Sequence, residues 1–91
     1  MPVKVILADD HSMIREGIKQ LLEINGEIQV VGEAADGIEC LNLLKKVKAD
    51  VLLLDINMPK MNGLQVLEKI NKGQTNTKVL MLTVHNEIEY L

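Results

Sequence analysis

Three aspartates stand where strand-like runs of this chain end. Asp55 directly follows the unbroken apolar run 51–54, and Asp9 and Asp10 follow the run 3–8. Because an isolated buried charge is very costly, a carboxylate in this position caps a helix, meets solvent or forms the centre of a site. Ligands of open parallel sheets bind at the carboxyl ends of the strands. The three acids are therefore candidates for a binding or catalytic site.

Carboxylates that converge at one edge repel one another, so they need a cation or their pKa values rise. Oxygen ligands favour Mg²⁺ over Zn²⁺, and we predict that His11 and His85 are surface or rim residues and not metal ligands. Such a site suits phosphoryl transfer, in which one carboxylate attacks phosphorus and the cation neutralises charge on the oxygens. Asp55, alone at its strand end, is the predicted nucleophile. Thr83, which ends a later strand, could donate its hydroxyl to a phosphoryl oxygen.

Hydrophobic periodicity predicts strands and helices in strict alternation. The run Val51–Leu54 has no polar break, which is typical of a parallel strand covered by helices on both faces. Gly32 indicates a bulge or a close backbone approach in the second strand. The predicted strands are 3–8, 28–34, 51–54 and 78–83, and the predicted helices are 12–25, 38–47 and 64–72. The tail from residue 84 looks like the start of another helix.

This order of elements requires right-handed crossovers and a mostly parallel sheet between two helix layers. We predict an α/β, doubly wound, flavodoxin-like fold, with the strand order 2-1-3-4 chosen by analogy. That order puts strands 1 and 3 side by side at the point where the winding reverses, so the crevice opens there. Asp9, Asp10 and Asp55 fall at this crevice, and Thr83 falls next to it.

Composition restricts the class of protein. The 91 residues form one small domain at most, and its core is aliphatic because 47% of the residues are hydrophobic while Tyr90 is the only aromatic one. The net charge of −3 argues against a surface that wraps nucleic acid. The single Cys40 excludes an internal disulfide and fits a reducing cytosol. No apolar stretch approaches the ~18 residues of a membrane span, so a soluble, cytoplasmic protein is predicted.

Several motifs in order resemble the receiver domain of bacterial two-component response regulators. They are A-D-D-H-S-M-I-R-E-G at 8–17, V-V-G-E-A-A-D-G at 30–37, L-L-L-D-I-N-M-P-K-M-N-G at 52–63, and Thr83 at the end of strand 4. Their wording is similar to the subgroup whose receivers precede a LuxR-type helix-turn-helix domain. The resemblance extends over the whole chain.

This resemblance implies a phosphorylation-dependent signalling switch, which is not a turnover enzyme. It implies that Asp55 accepts a phosphoryl group from a sensor histidine kinase and that Thr83 is the switch hydroxyl. Mg²⁺ is implied as the cofactor, held by Asp9, Asp10, Asp55 and the backbone carbonyl of Asn57. DNA is expected to be a partner only through a helix-turn-helix domain absent from this chain, and no membrane partner is expected.

The chain departs from the family pattern at its C-terminal end. A whole receiver has a fifth strand with a phosphate-pairing lysine, and the chain stops at Leu91 before that strand. Residues 1–91 are therefore expected to be a truncated receiver domain without strand 5 and helix 5. Strand 4 would then be an exposed edge, which can pair with another chain. A homo-oligomer formed through the strand 4 edge is accordingly expected to be possible.

Two alternative functions remain open from the sequence. The first is an interaction-only receiver fragment without phosphoryl-transfer activity, because the lysine is missing. The second is a haloacid-dehalogenase-like phosphatase, which also uses a strand-end aspartate and Mg²⁺. That family has two acids separated by one residue after strand 1, whereas Asp9 and Asp10 are adjacent. Turnover of a phosphate ester would separate the phosphatase from the receiver.

Overall fold

The computed structural model describes residues 2–73 and 76–82 of the chain. Its strands and helices are β1 (Val3–Ala8), α1 (Ser12–Glu23), β2 (Ile28–Ala34), α2 (Gly37–Lys46), β3 (Val51–Asp55), α3 (Gly63–Gly73) and β4 (Lys78–Leu82). The predicted alternation is confirmed, and most element ends agree within one residue. Helix α1 ends two residues early because the chain leaves the helix at Gly26, which has a left-handed φ of 76°. Thr83 and the predicted helix that follows it lie outside the described residues.

The sheet has the order β2-β1-β3-β4, and all neighbouring strands are parallel. The predicted doubly wound, flavodoxin-like arrangement is therefore confirmed. Strands β1 and β3 are direct neighbours, and Ala8 pairs with Leu54 at their carboxyl ends. The next residue of each strand is an aspartate, so this register delivers Asp9 and Asp55 to the same level of the same edge.

Strand β2 carries the irregularity that its glycine predicts. The register between β1 and β2 shifts between Val5 and Ile6, because Val5 pairs with Val30 whereas Ile6 pairs with Gly32. A Cβ on Gly32 would lie 2.6 Å from the Cδ2 atom of Leu43 on α2. The glycine therefore permits both the extra residue in the strand and the close packing of α2 on the sheet.

The core lies between the sheet and helices α2 and α3. Alternate residues of a strand point to the same face, and the residues on this face form one aliphatic cluster of Ile6, Ala8, Ala34, Cys40, Leu52, Leu54, Met58, Val66 and Ile70. Burial raises the pKa of the Cys40 thiol to about 11. The thiol is therefore protonated at neutral pH and serves as a small core side chain.

The opposite face of the sheet is covered less completely. Helix α1 has no fully buried residue, and the side chains of Met13 and Leu21 are 87% and 72% exposed. On β4, Leu80 is 57% exposed. Apolar surface therefore remains on the face that carries α1. Among the described residues, none of the helices combines the length and apolar composition that crossing a bilayer requires.

We expect buried and exposed leucines of this architecture to respond differently to the same truncation. Leu52→Ala should lower the free energy of unfolding by about 2–5 kcal/mol, since a fully buried leucine leaves a cavity. Leu52 is 0% exposed, whereas Leu64 on α3 is 58% exposed. Leu64→Ala is therefore the matched control and should change stability by less than about 1 kcal/mol. Urea unfolding followed by far-UV circular dichroism measures both, and equal losses would contradict this placement of the core.

Candidate functional site

A cluster of ionisable side chains forms at the carboxyl ends of β1 and β3. It consists of Asp9, Asp10, His11 and Asp55, and one ligand atom from each lies within 4.8 Å of those from the others. Asp9 and Asp55 are buried, with 2% and 3% exposure, while Asp10 and His11 lie on the rim. The three predicted acids are thus brought together, as the adjacency of β1 and β3 requires.

Asp9 is the deepest member of this cluster. Its Oδ1 atom accepts a hydrogen bond from the backbone N–H of His11 at 2.9 Å and pairs with the His11 Nδ1 atom at 2.9 Å. Its Oδ2 atom is buried and has no hydrogen-bond partner among the described residues. A buried acceptor without a donor is costly. An added cation is a chemically suitable partner for this oxygen.

Asp55 combines burial with negatively charged neighbours. Burial is the main cause that raises its pKa, and the charges of Asp9 and Asp10 act in the same direction. The backbone N–H of Asn57 opposes them by donating to the Asp55 Oδ1 atom at 3.2 Å. The carboxylate is therefore oriented by its own loop and surrounded by charge that a cation would neutralise.

His11 lies at the rim of the cluster, close to all three acids. Its Nδ1 atom lies 2.9 Å from Asp9 Oδ1, 3.0 Å from Asp10 Oδ1 and 3.9 Å from Asp55 Oδ2. The hydrogen bond with Asp9 raises its pKa most, followed by the charge of Asp10. The side chain is 53% exposed, so the predicted rim position is right. The expectation that His11 is not a metal ligand stays a prediction, although its Nδ1 atom belongs to the set of atoms that could hold one ion.

Arg15 supports the site through contacts that the sequence did not predict. Its Nη1 atom donates to the backbone carbonyl of Asp9, and its Nε atom donates to Glu33 Oε1 at 3.0 Å. One guanidinium thus ties α1 to the carboxyl ends of both β1 and β2. The turn that carries Asp9 and Asp10 is held in place by this contact.

The loop from β3 to α3 is clamped on two sides. The backbone N–H of Gly63 donates to the carbonyl of Ile56 at 2.8 Å, and a Cβ on Gly63 would collide with the Asp55 carbonyl oxygen. On the other side, a Cβ on Gly37 would collide with the Met61 backbone oxygen. The Lys60 Nζ atom also lies 3.5 Å from Asp36 Oδ2. These contacts fix the loop that orients the Asp55 carboxylate.

The remaining predicted site residues stand as follows. Asn57 reaches the site through its backbone, since its N–H donates to Asp55; the role of its carbonyl as a cation ligand stays a prediction. Thr83 lies outside the described residues, so its role as the switch hydroxyl also stays a prediction.

Comparison with known proteins identifies the family and the fold. Residues 5–91 match the family described as the response regulator receiver domain. The chain belongs to this family. The receiver domain is 40% identical over 88 residues to the nitrate/nitrite response regulator protein NarL of Escherichia coli strain K12, covering 97% of this chain and 41% of that protein. It is 36% identical over 89 residues to the transcriptional regulatory protein DegU of Brevibacillus brevis, covering 98% of this chain and 38% of that protein.

Solved structures agree with this assignment. The receiver domain matches the signal receiver domain of NarL from Mycobacterium tuberculosis with a TM-score of 0.88 and 42% identity, covering 94% of this chain and 69% of that chain. The receiver domain spans about two fifths of the length of the two curated relatives, NarL of Escherichia coli and DegU. The resemblance seen in the sequence motifs, and the fold that it implies, are thereby confirmed.

The tight packing of the loop after β3 predicts that a side chain at Gly63 destabilises the fold, and Gly17 provides the matched control. Gly63→Ala should lower the free energy of unfolding by about 1–3 kcal/mol, because its methyl group meets the backbone of Asp55 and not a movable side chain. Gly17 lies on the exposed side of α1, where a Cβ would meet nothing within 4 Å apart from the backbone of its own helix. Gly17→Ala should therefore raise stability by up to about 1 kcal/mol through helix propensity. Thermal unfolding of both variants tests this, and a stabilised Gly63→Ala variant would contradict it.

Proposed function

We propose that this receiver domain is the phospho-acceptor of a two-component signalling switch, in which Asp55 receives a phosphoryl group from the phosphohistidine of a sensor kinase. The observation that carries the proposal is the convergence of two further carboxylates, Asp9 and Asp10, on Asp55 at the end of a central strand. Membership of the receiver family supports the same assignment. It also favours a receiver over the haloacid-dehalogenase-like phosphatase.

The proposed transfer uses the Asp55 carboxylate as the nucleophile. A bond forms between a carboxylate oxygen and phosphorus, the phosphorus–nitrogen bond of the phosphohistidine breaks, and the leaving imidazole takes up a proton. The N–H of Asn57 holds one carboxylate oxygen at 3.2 Å, which restricts the rotation of the nucleophile. Asp55 is 3% exposed, so bulk water has little access to its carboxylate. The hydroxyl of Thr83 is proposed to donate a hydrogen bond to a phosphoryl oxygen and so to act as the switch that responds to phosphorylation.

The donor set of the cluster fits Mg²⁺, which prefers carboxylate, carbonyl and water oxygens. We assign the ligands to Asp9, Asp10, Asp55 and the backbone carbonyl of Asn57. The buried Asp9 Oδ2 atom, which no described residue satisfies, supports this assignment. When bound, the ion would neutralise charge on the phosphoryl oxygens.

The proposal extends to the wider system. The relatives are named as response regulators and transcriptional regulatory proteins, and this chain spans two fifths of their length. We therefore infer that residues 1–91 act as a receiver domain that controls a DNA-binding output domain of the LuxR-type helix-turn-helix class. Such a regulator acts in the cytoplasm. Its activity is switched by phosphorylation, and it is not a turnover enzyme.

Self-association through β4 is a further part of the proposal. Within the described residues, β4 pairs with β3 alone, and Leu80 presents an apolar side chain on it. Edge strands of this kind pair with other chains unless charged residues block them. Size-exclusion chromatography with light scattering should therefore show a dimer or larger species that Leu80→Lys shifts towards the monomer. Leu64→Lys, on the exposed side of α3, is the control, and a wild-type monomer at every concentration would contradict this part.

The central test is chemical labelling of the 91-residue chain. Incubation with acetyl phosphate and Mg²⁺ should add the mass of one phosphoryl group, and peptide mapping after borohydride reduction should place it on Asp55. Addition of EDTA, which removes Mg²⁺, should prevent this phosphorylation. A chain that binds Mg²⁺ but takes up no label would instead favour the interaction-only alternative. Steady turnover of a phosphate ester would favour a phosphatase.

A further inference from the structure

His11 is the member of the cluster that the phosphoryl-transfer chemistry does not need. It occupies the N-cap position of α1, yet its side chain makes no capping hydrogen bond. The ring is turned instead towards the acids, with Nδ1 within 3.0 Å of an oxygen of both Asp9 and Asp10. The imidazole nitrogen thus lies among the carboxylates where a cation would be attracted.

We propose that His11 determines the metal selectivity of this receiver domain, because its Nδ1 atom coordinates a first-row transition-metal ion such as Co²⁺ together with the cluster carboxylates. The site would then take such ions in competition with Mg²⁺. This inference rests on the proposed cation site and adds to it a nitrogen ligand that Mg²⁺ does not favour.

The geometry of the cluster supports coordination of a single ion. The ligand atoms of the four side chains all lie within 4.8 Å of one another. Opposite ligands of an octahedral ion with bonds of about 2.1 Å are about 4.2 Å apart. Small rotations of the rim side chains are therefore enough to bring the nitrogen and the carboxylates onto one ion. The rim position of His11, 53% exposed, leaves room for these rotations and for water ligands.

A second, independent observation points to a cation at this place. The Asp9 side chain is 3% exposed, and its buried Oδ2 atom has no partner in the described part of the chain. His11 satisfies the other oxygen of the same carboxylate. An ion bound between Asp9 and His11 would therefore take one ligand that is already oriented and another that is otherwise unsatisfied.

Ligand chemistry explains the selectivity. Imidazole suits the later first-row divalent ions, whose affinity for nitrogen sites rises from Mn²⁺ through Co²⁺ and Ni²⁺ to Cu²⁺, whereas Mg²⁺ prefers oxygen. To coordinate, Nδ1 has to present its lone pair, so any proton on this nitrogen is released to water when the ion binds. Removal of the imidazole ring should therefore weaken the binding of transition-metal ions more than the binding of Mg²⁺.

The experiment compares the 91-residue chain with His11→Ala, His11→Asn and His85→Ala by calorimetric titration of Co²⁺ and of Mg²⁺ at one pH. The ratio of Co²⁺ to Mg²⁺ affinity should fall roughly tenfold or more in both His11 variants and stay unchanged in His85→Ala, which removes the other histidine of the chain. In parallel, the Co²⁺ form should show a hyperfine-shifted, exchangeable imidazole N–H proton signal by NMR. That signal should be absent from both His11 variants.

The outcomes separate this inference from the proposal beneath it. A wild-type chain that binds neither Co²⁺ nor Mg²⁺ would overturn the cation site and the role of His11 together. A chain that binds both ions, with equal affinity ratios in all four proteins and no exchangeable imidazole signal, would overturn the role of His11 alone. His11 would then be only a charged neighbour of the acids.

Discussion

Asp55→Asn is expected to reduce the rate of phosphoryl incorporation from acetyl phosphate by roughly 100-fold or more, since removal of a nucleophile eliminates the reaction path. The variant should remain folded. Asparagine has nearly the same shape, and its side-chain oxygen can still accept the N–H of Asn57 that Asp55 accepts at 3.2 Å. Because burial and the acids Asp9 and Asp10 raise the pKa of Asp55, the neutral amide also relieves repulsion. Intact-mass measurements over time would show the loss of labelling.

Asp50→Asn supplies the matched control for this result. Asp50 precedes the same strand β3 but stands at its other end, where its Oδ2 atom accepts the backbone N–H of Lys4 at 2.9 Å. The side chain is exposed, so its charge is screened and remote from the cluster. Asp50→Asn should label at the wild-type rate. If labelling disappeared in Asp50→Asn and persisted in Asp55→Asn, the assignment of the acceptor would be wrong.

Asp9→Asn should raise stability without Mg²⁺ and should remove the stabilisation that Mg²⁺ gives to the wild type. Without the ion, the variant should gain about 1–3 kcal/mol, because two buried unit charges whose oxygens lie within 4.8 Å repel each other appreciably at an effective dielectric of about 20. The wild-type chain should gain about 1.4 kcal/mol from Mg²⁺ at about ten times its dissociation constant. The variant should gain almost nothing. Urea unfolding at several Mg²⁺ concentrations measures both effects.

The same titration on Asp50→Asn separates the local charge effect from a general effect of lowering the negative charge. That control should keep the full response to Mg²⁺ and show no comparable gain in stability without it. An Asp9→Asn variant that is less stable than the wild type, yet still stabilised by Mg²⁺, would show that Asp9 is a structural residue and not a ligand.

Much of the fold was predictable because each signal for it is local. The unbroken apolar run 51–54 identified the central strand, and helical spacing of leucine and isoleucine identified α1 to α3. Gly32 marked the bulge, since only the absence of a side chain permits the approach of Leu43. The strand order came from analogy and not from the residues. Helix ends were less exact, because they depend on single hydrogen bonds such as that from Gly26 to the Glu23 carbonyl.

The positions of the site residues were predictable only where the order of the strands alone determines them. Adjacent parallel strands must deliver Asp9 and Asp55 to one edge, whatever their side chains do. The direction of the His11 ring depends instead on the turn between β1 and α1, where the Asp9 carboxylate accepts the His11 backbone N–H. Arg15 meets Glu33 across 18 positions of sequence, and no periodicity indicates that contact. The motif A-D-D-H contains His11, but from the sequence a surface or rim position was predicted for it, without contact with the acids.

The close approach of Gly37 to the Met61 backbone has a consequence for recombination between related proteins. The first turn of α2 and the loop after β3 have almost no space between them, so each constrains which residues the other can accept. In a hybrid that takes one segment from this chain and the other from a diverged parent, we expect the two segments to pack poorly against each other at this contact. Crossover points for chimeric regulators are therefore best placed before residue 37 or after residue 63, so that both segments are inherited together.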